Sequence, residues 1–228
     1  MRDLSRRLQQ ALLPRNAPTL EGYDIAAGTT PDPDGQGSSV WDWFALPDGR
    51  PVLVTLDVTP GSFPAAHCLA LARAFLRELP AAGADPGSLL TRANSAISRT
   101  SVAGVEGTVD CAALILGPER CEWASAGAVP GGIIRQEGTM DDFPSHGPPL
   151  GLMDGFRYGA VQVPLRSGDV AVVLSHGARG LFRGAADLAA EFHGKPAAEV
   201  VSKLQAAIKR AGTAADQREH SIIFARKR

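Results

Sequence analysis

Between Val52 and Val58 the chain is an almost unbroken apolar run, the mark of a short buried strand. A lone carboxylate, Asp57, stands near its end, and Thr59-Pro60-Gly61 then breaks the strand. From Pro64 the period lengthens. Ala65, Leu69, Ala72, Phe75, Leu76 and Leu79 recur at three and four residues, which predicts a helix with Pro64 in its first turn. Strand, acid, tight turn and helix in that order commonly present one acid in a cleft. The plainer reading is an Asp that accepts backbone N–H bonds within the turn.

The same periodicities organise the rest. Leu4, Leu8, Ala11 and Leu12 form one stripe of a short helix that carries Arg2, Arg6 and Arg7 elsewhere and ends at Pro14. Such a stripe is covered either by the home domain or by a second chain as a dimer contact. Tyr23–Ala27 reads as a strand, Thr29–Ser39 as a polar turn-rich loop, and the aromatic-rich Val40–Leu46 as a strand joined by Pro47-Asp48-Gly49-Arg50 to the next in a hairpin. Asp85–Arg99 predicts a helix with Asp85 as N-cap and Pro86 at its first position. Strands are expected at Thr108–Leu116, Arg120–Ala126 and Gly132–Gln136. A proline-rich loop, FPSHGPPLGL, then leads to Phe156–Pro164, and Gly168-Asp169 turns into the apolar run Val170–Ser175. Ala185–Phe192 and Pro196–Arg210 read as helices and Ser221–Ala225 as the closing strand. Residues 1–14 are therefore expected to form an N-terminal helix, and 15–228 a single α+β domain with no internal repeat.

Composition narrows the function. A net charge of -1 gives no reason to expect a nucleic-acid or anionic-membrane partner. Cys68, Cys111 and Cys121 are odd in number and lie at no metal-ligand spacing, so reduced thiols and a cytoplasmic location are expected. No apolar stretch reaches transmembrane length.

In order and spacing, LQQALLP with LEGYDIAA, WDWFALPDGRPVLVTLDVTPGSFPAA, WASAGAVPGGIIRQEG, GPPLGL and RSGDVAVVLSHG resemble the bacterial branch of the PPM-type metal-dependent protein serine/threonine phosphatases. This is the group of the stage II sporulation E phosphatase and the RsbU-like regulators of anti-sigma pathways. The resemblance covers almost the whole chain. It implies a four-layer αββα sandwich, two antiparallel sheets flanked by helix pairs. It also implies strand-end carboxylates holding two Mn²⁺ or Mg²⁺ ions that activate water for attack on phosphoserine.

Carried over residue by residue, the ligand set is depleted. Ser39 falls where the family has an Asp, Asp57 is kept together with the Val58 carbonyl, and His176 replaces a third Asp. The last ligand position falls on Arg218 or Glu219, with Asp216 close behind. Hard divalent ions need oxygen ligands and ligand charge, so no tightly bound ion is expected, and Mn²⁺ or Mg²⁺ only if the chain is active. Asp42, which matches the second Asp of the family's first motif, and Asp110, beside the site in the family, are possible substitutes. His176 and His220 converging on Asp57 would suit Zn²⁺ instead. The leading expectation is a pseudo-phosphatase that regulates a protein partner of a bacterial phospho-signalling pathway by binding. The alternatives are an active phosphatase with an altered metal site and a dimeric assembly module using the N-terminal helix.

Overall fold

The computed structural model describes residues 2–30, 38–58, 63–81, 83–100, 107–175, 194–211 and 219–228. The predicted helix 185–192 and the turn 59–61 lie outside them. Among the described residues ten strands form two antiparallel five-stranded sheets, accompanied by four helices.

The first sheet has the order β1 (Tyr23–Thr30), β10 (His220–Lys227), β9 (Val170–Leu174), β6 (Gly131–Ile134) and β7 (Met140–Asp142). The second runs β2 (Ser39–Ala45), β3 (Pro51–Val58), β4 (Val109–Leu116), β5 (Arg120–Ala126) and β8 (Val161–Pro164). Alternation along each strand decides which core a residue joins. Trp41, Leu53, Leu114, Trp123, Val173 and Ile223 meet between the sheets. Val40, Val54, Leu56 and Ile115 face the other way, onto α2 (Phe63–Glu78) and α3 (Pro86–Thr100). Ile222 and Phe224 of the first sheet face outward onto α4 (Ala197–Ala211). β3 has neighbours on both sides and cores on both faces, and so every residue of it is buried.

The local signals behave as the chemistry requires. Asp85 Oδ1 accepts from Ser88 N at 2.9 Å, so it caps α3, and Pro86 takes the first helical position. Gly49, with φ +85°, closes the β2–β3 hairpin, where Leu46 N donates to Arg50 O at 2.8 Å. α1 (Arg2–Leu12) packs on α2 and β2, and Leu12 and Leu13 reach the helix-side core, while Leu8 stays exposed.

Among the differences from the sequence reading, three have a clear physical cause. β1 continues through Thr29 and Thr30 because they pair with Ser221 and His220. β7 is an edge strand of Met-Asp-Asp with no apolar alternation to reveal it. β8 is confined to Val161–Pro164, because Phe156 and Tyr158 turn into the helix-side core and stack edge to face at 4.9 Å. No helix among the described residues is long and apolar enough to cross a membrane.

Candidate functional site

The two sheets bring polar rows to the same end of the sandwich. In the second sheet Ser39 pairs with Asp57, and Asp57 with Asp110, so three adjacent strands place these residues in one line. Directly opposite residues share a face, with Cβ atoms about 5 Å apart. That face looks into the space between the sheets, because Leu53, four residues before Asp57, and Ala112, two after Asp110, belong to the inter-sheet core. The first sheet answers with Thr29, Ser221 and Ser175. Thr29 Oγ1 and Ser221 Oγ are 3.0 Å apart, and Ser221 N donates to Ser175 Oγ at 3.1 Å. Ser39 Oγ crosses from one sheet to the other, donating to Ser221 Oγ at 2.9 Å.

Asp110 fits its place because the next position in the row is a glycine. A Cβ on Gly127 would lie 1.7 Å from Asp110 Oδ1, and Gly127 itself has φ +81°. The proline-rich loop then folds around this corner. Gly127 N donates to Gly147 O at 2.9 Å, Ser145 Oγ to Gly127 O at 3.2 Å, and His146 N to Ser125 Oγ at 3.3 Å. Leu150 pairs with Val109, next to Asp110. Burial lowers the pKa of His146.

Glu219, just before β10, is 1 % exposed. Its Oε2 accepts from Gln9 Nε2 at 2.7 Å and from Ser39 N at 3.2 Å, and it also accepts from Ser38 N. The same Gln9 Nε2 donates to Ser39 O at 2.6 Å. Val58 closes β3, donating its N–H to Ser38 O at 2.8 Å while its side chain enters the helix-side core.

The predicted site residues thus divide. Ser39, Asp57 and Asp110 share one row, and Glu219 reaches the start of β2 through the Ser38 and Ser39 amides. His176, Asp216 and Arg218 lie outside the described residues. Asp42 is not with Asp57. It shares the helix-facing side of β2 with Val40 and Phe44, fully buried. There its Oδ2 lies 2.8 Å from Arg73 Nε, and Arg77 clamps both oxygens at 2.7 and 2.8 Å. His220 also departs from the proposed convergence. It pairs with Thr30 and alternates with Ser221, so it shares the face of Ile222 and Phe224, toward α4. Gln9 and the hydroxyls of Thr29, Ser175 and Ser221 are additions. The one sequence signal for Gln9 is its position three and four residues before Leu12 and Leu13, which pack on the core.

Comparison with known proteins agrees with this architecture. The family model for stage II sporulation protein E (SpoIIE) matches residues 47–220. Phosphoserine phosphatase RsbU of Bacillus subtilis (strain 168) is 26% identical over 177 residues, 77% of this chain and 52% of that protein. The chain therefore spans about half the length of the curated relative it matches. The SiaA-PP2C domain of Pseudomonas aeruginosa superposes with a TM-score of 0.78 at 17% identity, covering 100% of this chain and 95% of that one. The RsbU and RsbW domains of Rv1364c from Mycobacterium tuberculosis give 0.75 at 21% identity, covering 93% and 63%.

Proposed function

Because this chain belongs to the stage II sporulation protein E family of PP2C-type serine phosphatases, we propose that it binds a protein partner of a bacterial phospho-signalling pathway without efficient hydrolysis. Phosphatases of this fold use Mn²⁺ or Mg²⁺. The observation that carries the proposal is the commitment of two ligand positions to hydrogen bonds. Ser39 offers a hydroxyl already donated to Ser221, and Oε2 of Glu219 already accepts from Gln9 and from two backbone amides. Among the described residues, no group of three or more His, Cys, Asp or Glu is arranged to hold a metal ion. A committed hydroxyl and a hydrogen-bonded carboxylate at these two positions suit a pair of hard divalent ions poorly, since such ions need several charged oxygens at once. Each missing clamp group removes about 3 kcal/mol of transition-state stabilisation, or roughly a hundredfold in rate.

The test is hydrolysis of phosphoserine peptides and p-nitrophenyl phosphate in Mn²⁺ buffer, beside calorimetric titration with Mn²⁺. We expect near-background turnover and no pair of micromolar sites. Turnover equal to that of an intact family member would overturn the proposal, as would two tight Mn²⁺ per chain lost in Asp57→Asn.

A second reading has its own support, since Asp57 and Asp110 stand directly opposite on neighbouring strands. Two carboxylates so placed repel unless a cation or proton stands with them. On this reading one ion binds per chain and the protein hydrolyses slowly. Asp57→Asn and Asp110→Asn would then each abolish that single site.

A further inference from the structure

Two large apolar side chains stand in water beside the candidate site. Leu152 is 61 % and Met153 54 % exposed, and both lie in the loop that runs on from the Leu150–Val109 pairing next to Asp110. The loop is built to hold them there. Asn94, fully buried on α3, accepts from Gly151 N at 2.8 Å and donates from Nδ2 to Met153 O at 2.9 Å. Gly151 and Gly155 turn the chain with φ +84° and +70°, and a Cβ on Gly151 would lie 3.0 Å from Ile97. Beyond the turn Tyr158 N donates to Thr91 Oγ1 at 3.0 Å, and Tyr158 Oη to Pro148 O at 2.9 Å. A buried amide bonded to both ends of one turn fixes that turn, so Leu152 and Met153 are presented to solvent in a prepared arrangement.

The surroundings carry one sign. α3 has no Asp or Glu, and its Arg92 and Arg99 lie two turns apart on one exposed line. Arg157 is exposed too, and it precedes Tyr158, which bonds to Thr91 beside Arg92. None of the three makes an ion pair among the described residues. In a chain of net charge -1, three such cations around an apolar pair are a local bias. We propose that Leu152 and Met153 form the centre of a docking surface for a protein partner, whose docked segment is an amphipathic helix with acidic flanks. The apolar pair anchors it, and Arg92, Arg99 and Arg157 steer and orient it. A lipid surface suits the site less well, because Asp154 directly follows the two anchors and opposes anionic headgroups. Continuity with the Asp110 corner sets the docked segment at the rim of the cleft. The inference rests on the partner-binding reading above only in taking the occupant to be a protein. Turnover, which tests that reading, plays no part in the test of this one.

The experiment uses the whole chain and three synthetic helical peptides of about 18 residues, each with a leucine face and with flanks of Glu, Lys or Ser. Backbone amide shifts are followed by NMR as each peptide is added. The Glu peptide should bind tightest, with the largest shifts in residues 151–157 and at Arg92 and Arg99, and should weaken as salt rises. The double variant Leu152→Ser with Met153→Ser alters exposed side chains alone, so it should melt with the native chain and bind the Glu peptide about tenfold more weakly. The charge reversal Arg92→Glu with Arg99→Glu should turn the preference toward the Lys peptide. Equal binding of the Glu and Lys peptides, shifts centred elsewhere, or undiminished binding by the serine variant would each overturn the proposal. Self-association of the native chain lost in the serine variant would overturn it in favour of a second copy as occupant. Partition onto phosphatidylglycerol vesicles lost in the same variant would overturn it in favour of a membrane. Should the serine variant melt lower than the native chain, the charge reversal decides, and an unchanged peptide preference there would overturn the proposal.

Discussion

A single missing methyl group makes room for Asp110. Gly127 lies so close that a Cβ would sit 1.7 Å from Asp110 Oδ1, and its φ of +81° is one that side chains rarely adopt. Gly127→Ala should therefore destabilise by about 2–4 kcal/mol, the sum of overpacking and left-handed backbone strain. Asp110→Ala in the same chain should return the steric part and leave about 1 kcal/mol of backbone cost, a coupling that urea denaturation of the double-mutant cycle would read directly. His146, folded around the same corner, supplies a pH test. Burial holds its pKa below the ordinary 6.5, so the folded chain resists a proton that the unfolded chain accepts. Stability from the neutral ring is thus complete above about pH 6.5 and is lost as pH falls through the folded value. Melting curves between pH 7.5 and 5.5 should fall more steeply for the native protein than for His146→Asn.

Helix α2 is held to its sheet by charge as well as by oil. Asp42 is buried on the helix-facing side of β2, and Arg73 and Arg77 both reach it from α2. Removing Arg77 leaves the carboxylate one cation instead of two. Allowing for the partial exposure of Arg77 and the survival of Arg73, Arg77→Leu should cost about 2 kcal/mol, seen as a lower urea midpoint with an unchanged slope. This pair also explains what was legible in the sequence. Apolar period placed β2 to β5, α2 and α3, because each carries its own core face in its own residues. It could not place β7 or the end of β1, where pairing partners rather than local pattern make the strand. Alternation told that Asp42 and Val40 share a face, but not which face of β2 meets the other sheet, and the same gap misplaced His220. The clamp on Glu219 was beyond local reading altogether, since Gln9 is 210 positions away.

At the scale of the molecule, two thiols report on two different cores. Cys111 belongs to the helix-side core and Cys121 to the inter-sheet core, and both are free. Burial pushes the Cys121 thiol up to about 12 and the Cys111 thiol higher still, with Asp110 adding to the latter. Neither offers a thiolate at neutral pH, so iodoacetamide should modify neither in the native protein. If the layers unfold together, both should become reactive at one denaturant concentration. Separate midpoints would show that the sheets come apart before the helix side does. The strand order adds a constraint from biosynthesis. β10 runs between β1 and β9, near the middle of the first sheet, although it comes from residues 220–227. A ribosome delivers the chain N-terminal end first, at roughly 5–20 residues per second. Until that stretch emerges, β1 and β9 each keep an open edge, and unpaired edges invite association with other chains. The nascent domain must therefore wait, exposed, until residues 220–227 emerge, and any premature stop before residue 220 yields a product that aggregates rather than a shortened domain.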